Sequence, residues 1–342
     1  MKVPMHMQFE AIDPAKLDKF VAKKHPEANF LQSAGWGKAH ELTGEKVHYL
    51  GFYSQGDLVG SCLAIVKPAK RGRYLEIPGG PLLDWQNKPQ VKHAFAGLKN
   101  LATEENCVFV RMRPNIPDTP ENRKIFGQNG LHLSSMHLHA EHTVMIDLAR
   151  SEEQLLADMR RQTRYEVRQA NKLGIKVTSS HEKSAFGDFY QAQLATAKRQ
   201  NFIPSPEDFI LAQHEAFGDK AKIYQAKLGN KTLALALVIL QSPEAIYHEA
   251  ASTPEGRSLP GAYGLQWQII RDAKALGLKR YNLFGIAPPG ATHHRYAGVT
   301  TFKTGFGGEQ INYIPAYDLV VNPVRYQATR MFELIRKKKR GL

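Results

Sequence analysis

Two stretches of this chain run through the same order of secondary-structure signals at a shared offset, so the fold has to hold two copies of one module. In the first copy, His48-Tyr49-Leu50-Gly51-Phe52-Tyr53 and Leu58 to Val66 flank Gln55-Gly56-Asp57. Two β-rich runs about a glycine turn predict a hairpin. Tyr74-Leu75-Glu76-Ile77 predicts a third strand, stopped by Pro78-Gly79-Gly80-Pro81. A helix follows from Val91 to Thr103, because Val91, Phe95, Leu98 and Leu101 share one face at helical spacing. Cys107 to Met112 reads as a buried closing strand before Pro114. The second copy has strands Ile223–Leu228, Leu233–Leu240 and Ile246–Ala251, a helix Gly264–Leu276, and a closing strand Arg280–Phe284. The turn glycines Gly56 and Gly229 lie 173 residues apart, as do Val108 and Tyr281, and Val110 and Leu283. Self-similarity at a fixed offset points to a duplicated supersecondary unit. The expectation is an α/β (α+β) chain with two mixed sheets flanked by helices.

Length agrees with that reading. At roughly 150 residues per domain, 342 residues make about two domains. Between the modules, Ser151 to Lys172 predicts one long polar helix, with Ser151, Glu153 and Gln154 as its capping end and Gly174 as its stop. After the second module, Asn322-Pro323 predicts the start of a helix through Tyr326, Met331 and Leu334 that ends in Arg336-Lys337-Lys338-Lys339-Arg340. The domains are expected at 1–143, with 316–342 packing back on it, and at 144–315.

Charge and cysteine content narrow the function. A net charge of +14 suggests a polyanionic partner: nucleic acid, an anionic membrane face or a phosphorylated substrate. Cys62 and Cys107 form no CxxC pair, so neither a zinc ribbon nor a disulfide framework is expected, and two thiols fit a cytoplasmic compartment. Met1 to His6 opens without a hydrophobic signal core. The longest apolar run, Leu233 to Leu240, has eight residues, against about 20 for a membrane helix.

Several motifs invite a functional reading. Arg160, Arg164, Arg168 and Lys172 recur every fourth residue and lay a cationic stripe along a helix, suited to phosphates or to solvent. The C-terminal basic run suits RNA, lipid headgroups or a solubilising tail. His132, His137, His139 and His142 cluster, with His137 and His139 on one face of a strand-like run, but without an HExxH no metal site is expected. His293-His294-Arg295 lies in a Gly/Pro-flanked loop that either touches an anion or is an ordinary polar loop. The chain has no GxSxG, no Walker A and no GxGxxG after a strand. Gly261-Ala262-Tyr263-Gly264 opens a helix behind Arg257 and weakly resembles an acyl-coenzyme A pyrophosphate loop, with a spacing one residue too long.

Taken together, five segments resemble the Fem family of peptidoglycan-bridge aminoacyltransferases. They are Phe30-Leu31-Gln32-Ser33-Ala34-Gly35-Trp36-Gly37-Lys38, Pro78-Gly79-Gly80-Pro81, Val110-Arg111-Met112-Arg113-Pro114, Arg161 to Arg168, and Phe302-Lys303 behind Tyr281-Asn282-Leu283-Phe284-Gly285. The resemblance implies two tandem GNAT-like domains in a compact form without a coiled-coil arm. It implies transfer of an amino acid from aminoacyl-tRNA, as co-substrate and with no further cofactor, to the stem-peptide amine of a UDP-linked or lipid-linked muramyl-pentapeptide. Peripheral contact with the inner membrane face and a monomeric state are expected with it.

The resemblance also assigns candidate residues. Lys303 is the catalytic candidate, a fixed cation for the oxyanion of the tetrahedral intermediate, with Phe302 shaping its pocket. Lys38 matches a lysine that contacts the precursor diphosphate. Trp36 stacks on ligand or packs the fold; Arg111 contacts substrate or forms a structural ion pair; Tyr247 lines the pocket or fills the core. Arg164, Gly79 and Gly80 complete the substrate-binding set. Three positions depart from the family pattern: Arg113 replaces an acidic residue, and Ser205 and Phe209 stand where an Arg and a Tyr are common. Two other readings stay open, an acyl-coenzyme A-dependent N-acyltransferase and a non-catalytic tRNA-binding protein.

Overall fold

A computed structural model describes residues 7–69, 72–200, 202–291 and 294–340, the side chains of 338–340 excepted. Met1 to His6 and His293 fall outside the described residues. The chain divides into two compact units, Met1–Glu141 with Asn312–Leu342, and His142–Ile311.

The first unit is built on a seven-stranded sheet. Across its width the strands are Met7–Ala11, Lys46–Ser54, Asp57–Ala69, Gly72–Gly79, Cys107–Pro114, Tyr317–Val320 and His132–Leu133. The hairpin Lys46–Ser54/Asp57–Ala69 forms where its turn residues Gln55 and Gly56 both take positive φ, 53° and 88°. That twist suits a two-residue hairpin loop. Gly72–Gly79 runs parallel to Cys107–Pro114, so the chain must cross over, and helix Lys88–Glu104 makes the crossing. The helix buries Val91, Phe95, Leu98 and Leu101 against Leu50, Phe52, Leu75, Ile77 and Met112. The C-terminal strand Tyr317–Val320 pairs antiparallel with Cys107–Pro114.

The second unit repeats this order on another seven-stranded sheet: Glu309–Asn312, His142–Asp147, Arg280–Asn282, Glu244–Ser252, Lys231–Gln241, Ala221–Leu228 and Lys176–Ser180. Again the third and closing strands are parallel, Glu244–Ser252 beside Arg280–Asn282, with helix Gly261–Ala275 as the crossover. Its core gathers Val144, Ile146, Ala236, Val238, Leu265, Ile269 and Tyr281. Both sheets thus run hairpin, third strand, helix, parallel strand, and the duplicated order is present in three dimensions. The offset differs by one: Ser54 pairs with Asp57 and Leu228 with Lys231, so Gly56 is the second turn residue and Gly229 the first.

Three expectations on local structure need correction. Ser151 to Lys172 is not one helix but two, Glu152–Asp158 and Arg161–Lys172. The first carries the Ser151/Gln154 capping box, and Met159 and Arg160 between them are extended, with ψ 143° each. The break frees the Arg160 amide to donate to the Gly305 carbonyl at 2.9 Å. The closing strand of the second module stops at Asn282, because Phe284 takes φ 55° and breaks the regular ladder, although the amides of Leu283 and Ile286 still donate to the Val144 and His142 carbonyls. His137 and His139 lie outside any strand; His137 pairs with Glu141 at 2.9 Å and His139 sits 3.6 Å from Glu76.

Candidate active site

Lys303 lies in the last turn of helix Ala297–Thr304 and is buried, with 8% of its surface exposed. Its Nζ donates to the carbonyls of Gly285 at 2.8 Å and Phe284 at 3.3 Å, and stands 5.6 Å from the ring centre of Tyr247. A lysine has three N–H donors, so the two carbonyls leave one for a substrate oxygen. Burial pushes the ammonium down to about 7, because loss of water disfavours the charged form. The two carbonyls act in the opposite sense by hydrogen-bonding that form.

Phe302, next to Lys303 in the helix, belongs to an aromatic cluster. Phe302, Tyr263 and Phe306 form a ring cluster, with centroids 5.1 Å apart for Phe302–Tyr263 and 5.2 Å for Phe302–Phe306. Tyr247 is half-buried beside the core, and burial pushes its hydroxyl up to about 12. It therefore both borders Lys303 and packs the second core. The Ala287 amide donates to Thr300 Oγ1 at 2.8 Å, which ties the loop after Phe284 to the helix that carries Lys303.

What holds the two carbonyls in place is a group the sequence reading did not single out. The Asn282 side-chain oxygen accepts from the Phe284 amide at 2.9 Å and from Thr143 Oγ1. Its amide donates to Glu244 Oε1 at 2.9 Å. An Asn bonding the amide two residues on is an Asx turn, which stabilises unusual backbone locally. Here it caps Phe284, a non-glycine residue at positive φ. Glu244 is buried, and desolvation raises its carboxyl to about 7 against the pull of Arg280 at 3.5 Å. The signal in the sequence was an Asn two positions before Phe-Gly.

The other candidates fall into two groups. Lys38, in helix Ala34–Leu42, is exposed, 4.0 Å from Glu41, and its amine faces solvent. Five candidates are structural. Trp36 is 3% exposed and packs edge-on against Phe30 and His40, with centroids 5.1 and 4.8 Å apart, so it packs the core of the first unit. Arg111 makes four hydrogen bonds, to Asp318 at 2.8 and 2.9 Å and to Glu333 at 3.0 and 2.9 Å, and ties the C-terminal strand and helix to the first sheet. Arg164 donates to the carbonyls of Leu156 and Ala157, capping the helix before it. Gly80 lies against Gln32, where a Cβ would come within 2.6 Å of that side chain. Gln32 in turn bonds Leu63 and Pro78. Gly79 sits at φ 69° in the same turn. Gly80 is explained by the close approach of the turn to Gln32, and Gly79 by its positive φ.

Two of the three departures from the family pattern, Ser205 and Arg113, are occupied too. Ser205 Oγ donates to Glu249 at 2.8 Å. Arg113 is 1% exposed, faces Tyr313 at 5.5 Å, and burial lowers it to about 10. Gly261 opens the crossover helix and Gly264 lies in its first turn, where a Cβ would meet Leu233 at 2.4 Å and Ala170 at 3.0 Å respectively. Packing accounts for both. A cavity of about 800 Å³ lies elsewhere in the second unit, lined by Asp147, Arg150, Asp158, Lys279 and Glu309. Lys303 does not line it, and Arg150 and Asp158 are paired with each other at 2.8 Å. Among the described residues no group of three His, Cys, Asp or Glu is placed to hold a metal ion.

The profile of the FemAB family matches residues 12–233 and 224–334. The chain belongs to the FemAB family. It is similar to aminoacyltransferase FemA of Staphylococcus epidermidis, at 20% identity over 91% of this chain and 95% of FemA. Among solved structures, FemX superposes with a TM-score of 0.82 at 18% identity, covering 94% of this chain and 99% of FemX. A tandem GNAT protein from the clavulanic acid biosynthesis pathway gives a TM-score of 0.55 at 13% identity, covering 92% and 99%. Both superpositions concern the fold, and they make this FemAB chain a tandem of two GNAT-like domains.

Proposed function

We propose that this protein is an aminoacyltransferase that moves an amino acid from aminoacyl-tRNA to the stem-peptide amine of a muramyl-pentapeptide precursor. The observation that carries this reading is the buried Lys303, held by two carbonyls in a chain of the FemAB family. In the transfer the acceptor amine attacks the ester carbonyl, an amide bond forms and the ester C–O bond breaks. The ribose oxygen leaves with the proton that the amine gives up. An ester is already activated, so the step needs no nucleotide. The third N–H of Lys303 is suited to the oxyanion of the intermediate, at a buried position where low access of water strengthens the contact.

Lys38 supports the acceptor side, as an exposed point cation suited to a diphosphate. The glycines of the crossover helix give no support to acyl-coenzyme A as donor, since packing accounts for both. The test is a mass-spectrometric transfer assay with a pool of charged tRNAs and a UDP-linked or lipid-linked muramyl-pentapeptide. The expected result is a mass gain of one amino-acid residue that disappears after RNase treatment and in Lys303→Ala. Full transfer by Lys303→Ala removes this lysine from the mechanism. Transfer from acyl-coenzyme A, or tRNA binding without turnover, overturns the reading.

A further inference from the structure

The C-terminal helix Pro323–Arg340 presents two unlike faces. Tyr326, Thr329 and Glu333 face the first unit. The Tyr326 hydroxyl bonds Asp318 at 3.1 Å, Thr329 is 9% exposed, and Glu333 pairs with Arg111. On the opposite side, Val324, Met331 and Ile335 are 82%, 64% and 51% exposed, with Leu334 at 49% beside them. At about 100° per residue, Val324, Met331 and Ile335 fall on one line along the helix. That line points away from the domain, so core packing does not account for it. Arg325 and Arg336, both exposed, border it on one side, while Arg330 and Lys337 lie half-buried nearer the docked face. The only acid in the helix, Glu333, is held on the docked face.

We infer that this face docks on an anionic lipid surface. An exposed aliphatic line bordered by cations, on a helix whose one acid is turned inward, is the pattern of a helix lying in a membrane interface, its apolar side chains among acyl chains and its cations at headgroup phosphates. The charge argues against a second copy of this chain, since the exposed part of this helix carries cations and no acid to pair with them. RNA would use the cations and leave the aliphatic line without a role. No described helix is long and apolar enough to cross a membrane, so the contact is peripheral. The docking stands on the helix alone. Its consequence, a preference for the lipid-linked precursor over the soluble one, rests on the transfer proposed above.

The experiment is flotation of the full chain with vesicles of equal parts phosphatidylglycerol and phosphatidylcholine, against phosphatidylcholine alone. The expected result is flotation with the anionic vesicles only, weakened about tenfold in Met331→Ser/Ile335→Ser and in Arg325→Ser/Arg336→Ser. These side chains are solvent-facing, and thermal melts confirm that the variants fold. In Ile335→Trp the new indole is expected to shift to the blue and be quenched by brominated lipid. Equal binding to both vesicles, or wild-type flotation of Met331→Ser/Ile335→Ser, overturns the inference. Self-association that depends on Met331 and Ile335 overturns it in favour of a second copy. Retention of tRNA that depends on them, without flotation, overturns it in favour of RNA. Met331→Ser/Ile335→Ser is expected to lose transfer to vesicle-borne precursor while keeping the soluble reaction. Docking without transfer in any form leaves the inference standing and removes the proposed function.

Discussion

At Lys303, burial and hydrogen bonding act in opposite directions. The pocket removes the water that stabilises an ammonium, while two backbone carbonyls supply acceptors that favour it. The consequence for stability has a definite sign. The group sits at about 7 in the folded chain against 10.5 in its ordinary state. Below about 7 both states hold the proton and no slope arises. Between about 7 and 10.5 the unfolded chain holds more protons, so this residue makes the folded state gain stability as pH rises. Denaturant unfolding of wild type and Lys303→Met should show the difference growing in favour of wild type from pH 7 to pH 10, by several kcal/mol at most. Parallel curves would mean that Lys303 is solvated in the folded protein. Met is the chosen replacement because it fills the same channel without a charge.

The element that sets this lysine is a turn. Asn282 ends the closing strand, caps Phe284 in the left-handed region, and so aims two successive carbonyls at one amine. Asn282→Ala releases that turn. The expected outcome is a lower midpoint for acylation of Lys303 by an amine-reactive label, read by mass spectrometry across pH, since the ammonium loses its acceptors. The pH profile of transfer should move with it. Glu244→Gln keeps an acceptor for the Asn282 amide, so it is expected to leave the midpoint near that of wild type. A folded Asn282→Ala protein with an unmoved midpoint would make the turn merely structural. Neighbouring elements also occupy several of the candidate residues. Arg111, Arg164, Gly79 and Gly80 each meet a partner from a distant or preceding segment, which no motif records.

Over the whole molecule, the charge of +14 is the property most open to a partner. Of the cationic stripe, Arg160 and Arg164 are turned to backbone carbonyls, while Arg168 and Lys172 are exposed. Binding of uncharged tRNA should therefore weaken by at least about tenfold between roughly 50 and 200 mM salt, as phosphate contacts release counterions. Filter binding should show a shallower salt dependence for Arg168→Ala/Lys172→Ala and an unchanged one for Arg164→Ala. Equal salt dependence in all three proteins would place the tRNA contact away from this stripe.

The sequence by itself determined the duplicated order of strands and helices, because hydrophobic periodicity and turn glycines are local signals that tertiary packing here reinforces. Through Phe302-Lys303 and the linked segments it also pointed to the lysine on which the proposed chemistry rests. Only the tertiary structure decided which charged and glycine positions were already spent on the fold. Asp318 and Glu333 lie more than 200 residues from Arg111, and the Gln32 that Gly80 packs against lies 48 residues away. It decided too that Lys303 is buried, since burial depends on Phe284, Gly285 and Tyr247 arriving from other elements. The outward aliphatic line on the C-terminal helix became visible in the same way, once Tyr326 and Glu333 had fixed which side of that helix faces the protein.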